Sequence, residues 1–350
     1  MMRLSGRGWL WALALMLAPL RLLAAAEGAC SERADAACLR AFELPENAGR
    51  MSYYVSDSTP APQSVLVVMH GHPRDANRSF DAGLQAVRGA GRLTDTLVVA
   101  PLYQVSDASR CQTRGVPRAQ AGDAVWTCAG WLAGEPSLGA QPIGSFAALD
   151  ALVVELVRQW PSLRSVTLAG FSAGAQMLQH SIGFAADPPA GVAVRYVIAD
   201  PGSWLYFDPV RPAPEGSWDT CGDDCRFTFS VPQACPGYDH WKYGVQALPG
   251  HLGRSAGQAR ARYAATQVDY LEGALDSSAA KGTFYPILDK SCAAMAQGPF
   301  RLQRGLAYAA YEQAQLKPQR ARRMIVVPGC AHDVACVLPS AAARVVLFGR

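Results

Sequence analysis

One serine of this chain lies in a pattern that can create a nucleophile. The pentapeptide Gly-Phe-Ser-Ala-Gly at residues 170–174 places Ser172 between small residues. That spacing is typical of a tight turn from a strand into a helix, where a strained backbone exposes the serine hydroxyl. An apolar run at 165–169 precedes the motif, and a predicted helix at 173–183 follows it. We therefore predict that Ser172 is a catalytic nucleophile.

The same spacing occurs a second time, at residues 253–257 around Ser255. The residues before this second match read Leu-Pro-Gly-His and do not form a strand pattern. Because the turn requires a strand on its N-terminal side, we assign Ser255 to a turn without a chemical role.

A nucleophilic serine requires a base, and the base requires an acid that orients it. His332 follows the last predicted strand, and Asp276 follows the predicted strand at 266–271. Serine, acid and histidine thus come in the chain order of α/β-hydrolases, each in a loop after a strand. Asp200, at the end of the strand at 192–199, is the rival acid. We favour Asp276, because the last-but-one strand is the commoner source in this fold.

The oxyanion of an acyl-transfer reaction requires two hydrogen-bond donors. The backbone N–H of Ala173 is one candidate, since it follows the nucleophile directly. The second is expected in the loop after the strand at 64–69, which reads His70-Gly71-His72-Pro73. Proline has no N–H, so we choose the backbone N–H of His72, with Gly71 behind it. The side chain of His70 is expected to brace the loop.

The pair His70 and His72 also permits a metal interpretation, because two histidines after a strand bind zinc in some metallohydrolases. Asp75 is a candidate third ligand. His180, His240 and His251 show no spacing that would complete the site. A metal-dependent hydrolase is therefore the alternative enzyme class, and the main hypothesis requires neither a metal nor a cofactor.

The elements that would position these residues alternate along the chain. Continuous runs of Val, Leu and Ile are typical of strands buried on both faces, and helical patterns separate them. This alternation predicts an α/β fold with a mostly parallel central sheet and helices on both faces. Two Cys- and Trp-rich stretches, at about 107–142 and 202–257, interrupt it as insertions near the site. The strands are predicted at 64–69, 95–100, 165–169, 192–199, 266–271 and 323–327, with edge strands at 40–43 and 51–55, and the helices at 75–88, 143–160, 173–183 and 300–316.

The first 26 residues have the pattern of a secretory signal, with early arginines, an apolar stretch and three alanines at 24–26. Pro19 and Arg21 interrupt the apolar stretch, so we expect no stable membrane anchor. Residues 27–350 are expected to form a single domain, secreted or periplasmic. Without residues 1–26 the net charge falls from +4 to +1, which gives no basis for a nucleic-acid partner.

All ten cysteines lie after the predicted signal, and an even number in an exported chain predicts disulfides. Proximity in sequence favours Cys30–Cys38, Cys111–Cys128 and Cys330–Cys336. The pairing of the other four stays open, and a zinc site built from them is weakly supported. These four are Cys221, Cys225, Cys235 and Cys292.

Together, the motifs around residues 70–71, 170–174, 271–276 and 328–332 resemble the α/β-hydrolase superfamily. Within it, the chain resembles secreted serine esterases of the feruloyl-esterase and polyester-depolymerase kind. The resemblance covers most of residues 40–347. The chain departs from the commonest lipase pattern, because no Gly-Gly pair follows His70. It implies a carboxylic ester hydrolase that acts on a small or polymeric ester through an acyl-enzyme. It does not predict the particular ester or the oligomeric state.

A non-catalytic binding protein on the same fold is the hypothesis from a different class. In that case, aromatic residues of the second insertion would bind a sugar or an apolar surface. The intact set of serine, histidine and acid counts against this hypothesis. The aromatic residues in question are Trp204, Tyr206, Trp218, Trp241 and Tyr243.

Overall fold

The computed structural model describes residues 29–57, 60–106, 111, 115–221 and 225–349. Twelve strands and nine α-helices are assigned within these residues. Runs rich in valine, leucine and alanine form the central strands, which are buried along nearly their whole length. The strands are β1 (Leu39–Glu43), β2 (Arg50–Val55), β3 (Ser64–Met69), β4 (Thr96–Leu102), β5 (Gln104–Val105), β6 (Val125–Trp126), β7 (Ser165–Phe171), β8 (Ala193–Ala199), β9 (Arg211–Pro214), β10 (Phe227–Ser230), β11 (Val268–Gly273) and β12 (Met324–Val327).

Eight of these strands form one sheet in the order β1-β2-β4-β3-β7-β8-β11-β12. The pairs β1–β2 and β2–β4 are antiparallel, and every later pair in that order is parallel. The carboxyl ends of β7, β8, β11 and β12 therefore meet at one edge of the sheet. Loops that follow these strands can bring distant residues together there.

Helices cover both faces of the sheet, and each face has its own hydrophobic core. On one face, α3 contributes Phe146, Leu149 and Leu152 to a core shared with α4, α5 and α7. On the other face, α2, α8 and α9 pack around residues such as Phe80 and Val346. The helices are α1 (Ala29–Glu32), α2 (Ala76–Gly89), α3 (Ser145–Gln159), α4 (Ala173–Ser181), α5 (Ala256–Ala265), α6 (Cys292–Met295), α7 (Arg301–Tyr311), α8 (Val334–Val337) and α9 (Ala341–Phe348).

This architecture confirms the predicted fold class, but some elements differ from the prediction. The helix predicted at 300–316 is α7 followed by a π-helical turn, Glu312–Leu316. The placement of Ser255 in a simple turn was wrong. Ser255 is the N-cap of α5, where its hydroxyl accepts a hydrogen bond from the backbone N–H of Gln258 in a capping box. Helices α5 and α9 were not predicted.

The two predicted insertions contain short strands and packed aromatic side chains. In the first, β6 pairs in parallel with β5, and Trp126 and Trp131 are fully buried. In the second, β9 and β10 form a small antiparallel sheet. Residues 107–110, 112–114 and 222–224 of these insertions lie outside the described residues, as does the whole predicted signal at 1–26.

All ten cysteines are paired in five disulfides. The three pairs favoured by proximity, Cys30–Cys38, Cys111–Cys128 and Cys330–Cys336, are present. The four cysteines left open pair as Cys221–Cys225 and Cys235–Cys292. Among the described helices, none combines the length and the apolar character needed to cross a membrane.

Candidate active site

Ser172 lies in a sharp turn between β7 and α4. Its backbone has φ 57° and ψ −121°, a conformation that is strained for a residue with a side chain. Gly170 and Gly174 make the turn possible. A Cβ at Gly170 would lie 2.6 Å from the Gly174 carbonyl carbon, and a Cβ at Gly174 would lie 2.5 Å from the His70 carbonyl oxygen. The two small residues of the motif are thus required by close backbone contacts.

His332 lies in the loop after β12, beside Ser172. Its Nε2 is 2.8 Å from the Ser172 Oγ, and its Nδ1 is 2.7 Å from Asp276 Oδ2. Burial lowers the pKa of His332, while the hydrogen bond to Asp276 acts in the opposite direction. The imidazole also packs against the ring of Phe171, with the ring centroids 4.6 Å apart. A neutral His332 with its proton on Nδ1 would therefore present a free lone pair to the serine.

Asp276 is buried in the turn after β11. Its backbone N–H donates to the Gly273 carbonyl at 3.0 Å. The Asp276 Oδ1 atom accepts from Arg301 Nη1 at 3.3 Å, and the same Nη1 donates to the Thr283 carbonyl at 2.7 Å. With Oδ2 on His332 and Oδ1 on Arg301, both carboxylate oxygens of Asp276 have donors.

Asp200, the rival acid, lies next to this group at the end of β8. One oxygen of Asp200, one of Asp276 and a ring nitrogen of His332 all lie within 4.8 Å of one another. Asp200 Oδ1 accepts from the backbone N–H of Gly273 at 2.7 Å, and the Asp200 carboxyl lies beside the carboxyl of Glu272. The acceptor for the His332 Nδ1–H is Asp276 Oδ2 and not Asp200, so the geometry favours Asp276 as the orienting acid.

A third buried carboxyl, Glu272, was not singled out in the sequence. Burial, and then the charge of Asp200, raise the pKa of Glu272 well above its usual value. Burial, and then the charge of Asp276, raise the pKa of Asp200 to about 7. Both causes favour the protonated form of Glu272. Glu272 directly follows the strand predicted at 266–271 and lies inside the observed β11, where its side chain is fully buried.

The loop after β3 lies against the nucleophile. An ideal Cβ on Gly71 would be 3.8 Å from the Ser172 Cβ. The Gly71 N–H donates to Asp75 Oδ1 at 3.2 Å, which leaves it unavailable to a substrate. Within the described residues, the His72 N–H has no protein acceptor, and Ala173 begins α4, so its N–H has no acceptor within the helix. That these two N–H groups bind an oxyanion stays a prediction.

His70 is fully buried and braces this loop. Its Nδ1 is 2.9 Å from the Gly71 carbonyl oxygen, and its Nε2 accepts from the Tyr103 backbone N–H at 3.2 Å. Both ring nitrogens are thus occupied within the protein. Of the described histidines, cysteines and acids, the group with metal-like spacing is Asp200, Asp276 and His332, which does not include His70, His72 or Asp75. The geometry gives no support to the metal alternative.

The other candidate side chains lie away from this chemistry. His180 is buried on α4, 5.7 Å from the ring of Trp241, whereas His240 and His251 are exposed. Trp204 and Tyr206 are fully buried, and Trp204 stacks on Tyr308 with ring centroids 4.3 Å apart. Trp204 and Tyr206 thus pack the insertion against α7 and are not available to a ligand at the surface. The other three aromatic residues of that hypothesis, Trp218, Trp241 and Tyr243, are half-buried.

An open cleft of about 420 Å³ leads to Ser172 and His332. Its walls come from the loop after β3, from α8 and from the residues between β11 and α6. Several of the side chains that line it are apolar or aromatic. Its lining includes His72, Pro73, Phe171, Phe284, Ile287 and Val334.

Comparisons with known proteins support the fold assignment. No family model and no curated protein matches the chain. Two solved structures are similar over most of its length. Poly(aspartic acid) hydrolase-1 from Sphingomonas sp. KT-1 is 18% identical, with a TM-score of 0.56 over 89% of this chain and 98% of that one. The poly(3-hydroxybutyrate) depolymerase LpqC from Bordetella parapertussis is 20% identical, with a TM-score of 0.58 over 89% and 88%.

At these identities the likeness concerns the fold alone. The parallel strand order, the strained serine turn after β7 and the two structural matches show that the chain has the α/β-hydrolase fold.

Proposed function

We propose that this protein is a serine hydrolase that cleaves carboxylic esters. One observation carries the proposal: a continuous hydrogen-bonded chain runs from the Ser172 hydroxyl through His332 to the buried carboxylate of Asp276. This arrangement activates a hydroxyl that is otherwise a weak nucleophile at neutral pH.

The proposed reaction has two halves. Ser172 Oγ attacks the ester carbonyl carbon while His332 Nε2 takes the hydroxyl proton, and Asp276 stabilises the resulting imidazolium. The N–H groups of Ala173 and His72 hold the negative oxygen of the tetrahedral intermediate. His332 then gives its proton to the leaving alcohol, which leaves an acyl group on Ser172. Water, deprotonated by His332, attacks that acyl group and releases the acid.

Three observations support ester chemistry in particular. The motifs resemble those of secreted esterases and polyester depolymerases. One of the two similar structures is a poly(3-hydroxybutyrate) depolymerase, whose name denotes a polyester substrate. The cleft at Ser172 is open and wide enough for a polymer chain end or a small ester.

The proposed setting is an oxidising compartment, either outside the cell or in a periplasm. Five disulfides in one chain support this setting, because thiols in a reducing cytosol stay unpaired. In this proposal residues 1–26 are removed on export, and residues 27–350 form a single catalytic domain with two insertions.

A fluorophosphonate probe tests the mechanism. The parent protein should be labelled covalently and should hydrolyse p-nitrophenyl acetate in the presence of a chelator. Ser172→Ala should abolish both labelling and turnover. Ser255→Ala is the matched control, because Ser255 has the same flanking residue types but caps a helix.

The opposite pattern would refute this proposal. If a chelator abolished turnover and the probe neither labelled nor inhibited the protein, a serine mechanism would be excluded. A metal-dependent hydrolase would then be the better explanation of the activity.

A further inference from the structure

Two large apolar side chains are exposed in the wall of the cleft beside the proposed nucleophile. Phe284 is 55% exposed and Ile287 is 68% exposed, and both line the cleft. The Phe284 ring centroid lies 6.1 Å from that of His332, in an edge-to-face arrangement. Neighbouring apolar groups left in water at a concave site are typical of a binding surface.

The backbone holds Phe284 in this exposed position. Its φ of 52° and ψ of 31° lie in the left-handed region, which is an outlier for a bulky residue. Neighbouring contacts keep the strain in place: the Thr283 carbonyl accepts from Arg301 Nη1 at 2.7 Å, and Ile287 N–H donates to the Phe284 carbonyl at 3.2 Å. Such strain is concentrated at sites that grip a ligand.

The charged groups that line the cleft do not favour an anion. Besides His332, they are Asp75, Arg78 and Asp333. Arg78 Nη2 lies 3.4 Å from Asp333 Oδ1, so its charge is already compensated. Because Arg78 and Asp333 offset each other, the charge of Asp75 gives the lining a net charge of −1, which would repel a carboxylate.

We propose that Phe284 and Ile287 form a selectivity wall that binds the acyl group of a neutral ester. This inference rests on the proposed ester hydrolysis. The cleft of about 420 Å³ has room for an aryl ring or a short alkyl chain. The substrate class is therefore a neutral apolar or aromatic acyl ester, in preference to an anionic one.

The first test varies the acyl group while the leaving group stays constant. The values of kcat/KM are measured for p-nitrophenyl acetate, hexanoate and benzoate with the parent, Ile287→Ala and Phe284→Asn. Asparagine suits a left-handed backbone, so it removes the ring without adding strain. Leu138→Ala is the matched control, because Leu138 is 59% exposed and lies outside the cleft lining.

We expect the ratios of hexanoate to acetate and of benzoate to acetate to fall about tenfold in the two wall variants, because a lost apolar contact in a pocket has an effect of this order. Leu138→Ala should keep the parent ratios. Parent ratios in both wall variants would overturn the inference.

The second test concerns charge. p-Nitrophenyl hemisuccinate carries a carboxylate where p-nitrophenyl pentanoate has a methyl terminus, at similar length. The parent should prefer pentanoate by about tenfold or more. Asp333→Asn, which can still cap α8 but leaves Arg78 unpaired, should reduce that preference.

Equal or better hydrolysis of hemisuccinate by the parent would overturn the inference, even with ester hydrolysis established. A different result would refute the proposed function itself. If the parent hydrolysed none of these esters and took no fluorophosphonate label, the proposed function and the selectivity wall would both be wrong.

Discussion

Asp276 is the residue on which the proposed site depends most. One carboxylate oxygen accepts from His332 and the other from Arg301, and the residue is almost completely buried. Replacement by asparagine keeps the shape but presents an amide that can hold His332 in the wrong tautomer. Asp200 makes no hydrogen bond to His332, so it cannot take this role without movement.

We predict that Asp276→Asn lowers kcat by about 10⁴, the loss that follows when the histidine tautomer is no longer fixed. Asp200→Asn should cost less than about 10², since the Asp276–His332 hydrogen bond remains. Steady-state kinetics on p-nitrophenyl acetate measures both. If the two losses were reversed, Asp200 would be the orienting acid, and the geometry described above would not be that of the working enzyme.

At the residue scale, the sequence was informative where a side chain follows a strand. Ser172, Asp276 and His332 each lie within five residues after a recognisable apolar run, and the structure brings all three together. Arg301 could not be placed, because its position near the site depends on how α7 packs against β11 and not on any local pattern.

The turn from β7 into α4 is the element whose geometry is most constrained. A methyl group on Gly174 would overlap two backbone carbonyl oxygens, those of His70 and Met69, at 2.5 and 2.7 Å. Gly257, the matching glycine of the second motif, has no atom within 4 Å of such a methyl group. The two motifs are thus alike in sequence and opposite in their surroundings.

We predict that Gly174→Ala destabilises the protein by about 1–3 kcal/mol, the usual cost of overpacking, and displaces Ser172 enough to reduce turnover. Gly257→Ala should leave turnover unchanged and stability equal or up to about 1 kcal/mol higher, because alanine favours the helix. Urea unfolding and ester hydrolysis measure both variants. A fully active and stable Gly174→Ala protein would contradict the close packing at the turn.

Elements with a strong apolar pattern were predictable, and those held by tertiary contacts were not. The prediction for β3 matches the structure at both ends, and those for β7 and α3 differ from it by two residues or fewer at each end. In contrast, β5 and β6 have two residues each and β9 and β10 four each, and each of these strands is held by its pairing partner. A strand of two residues is too short to show any period in its sequence.

At the scale of the whole molecule, the disulfides differ in the length of chain that they close. Cys235–Cys292 spans 57 positions, whereas Cys330–Cys336 spans 6 and encloses His332. In the chain-entropy model, the longer loop restricts the unfolded chain more. The long bond should therefore act on global stability, and the short one on the position of the histidine loop.

We predict that replacing Cys235 and Cys292 with serine lowers the free energy of unfolding by about 4 kcal/mol, against about 2 kcal/mol for Cys330 and Cys336. The Cys330–Cys336 variant should nevertheless lose more turnover at a temperature where both variants stay folded. The disulfide Cys221–Cys225 serves as the control. It closes a loop of similar length, 4 positions, and neither of its cysteines lines the cleft. Unchanged turnover in the Cys330–Cys336 variant would contradict a local role.

Arg301 links the proposed catalytic acid to the wall of the cleft, and this link affects how the protein can be redesigned. A single guanidinium nitrogen contacts both the Asp276 carboxylate and the Thr283 carbonyl, one residue before Phe284. The segment that shapes the cleft is therefore mechanically joined to the acid of the proposed triad. Directed evolution that inserts or deletes residues here would change selectivity and catalytic alignment together. A library confined to side chains at 284 and 287, with 283 and 301 kept, would separate the two traits.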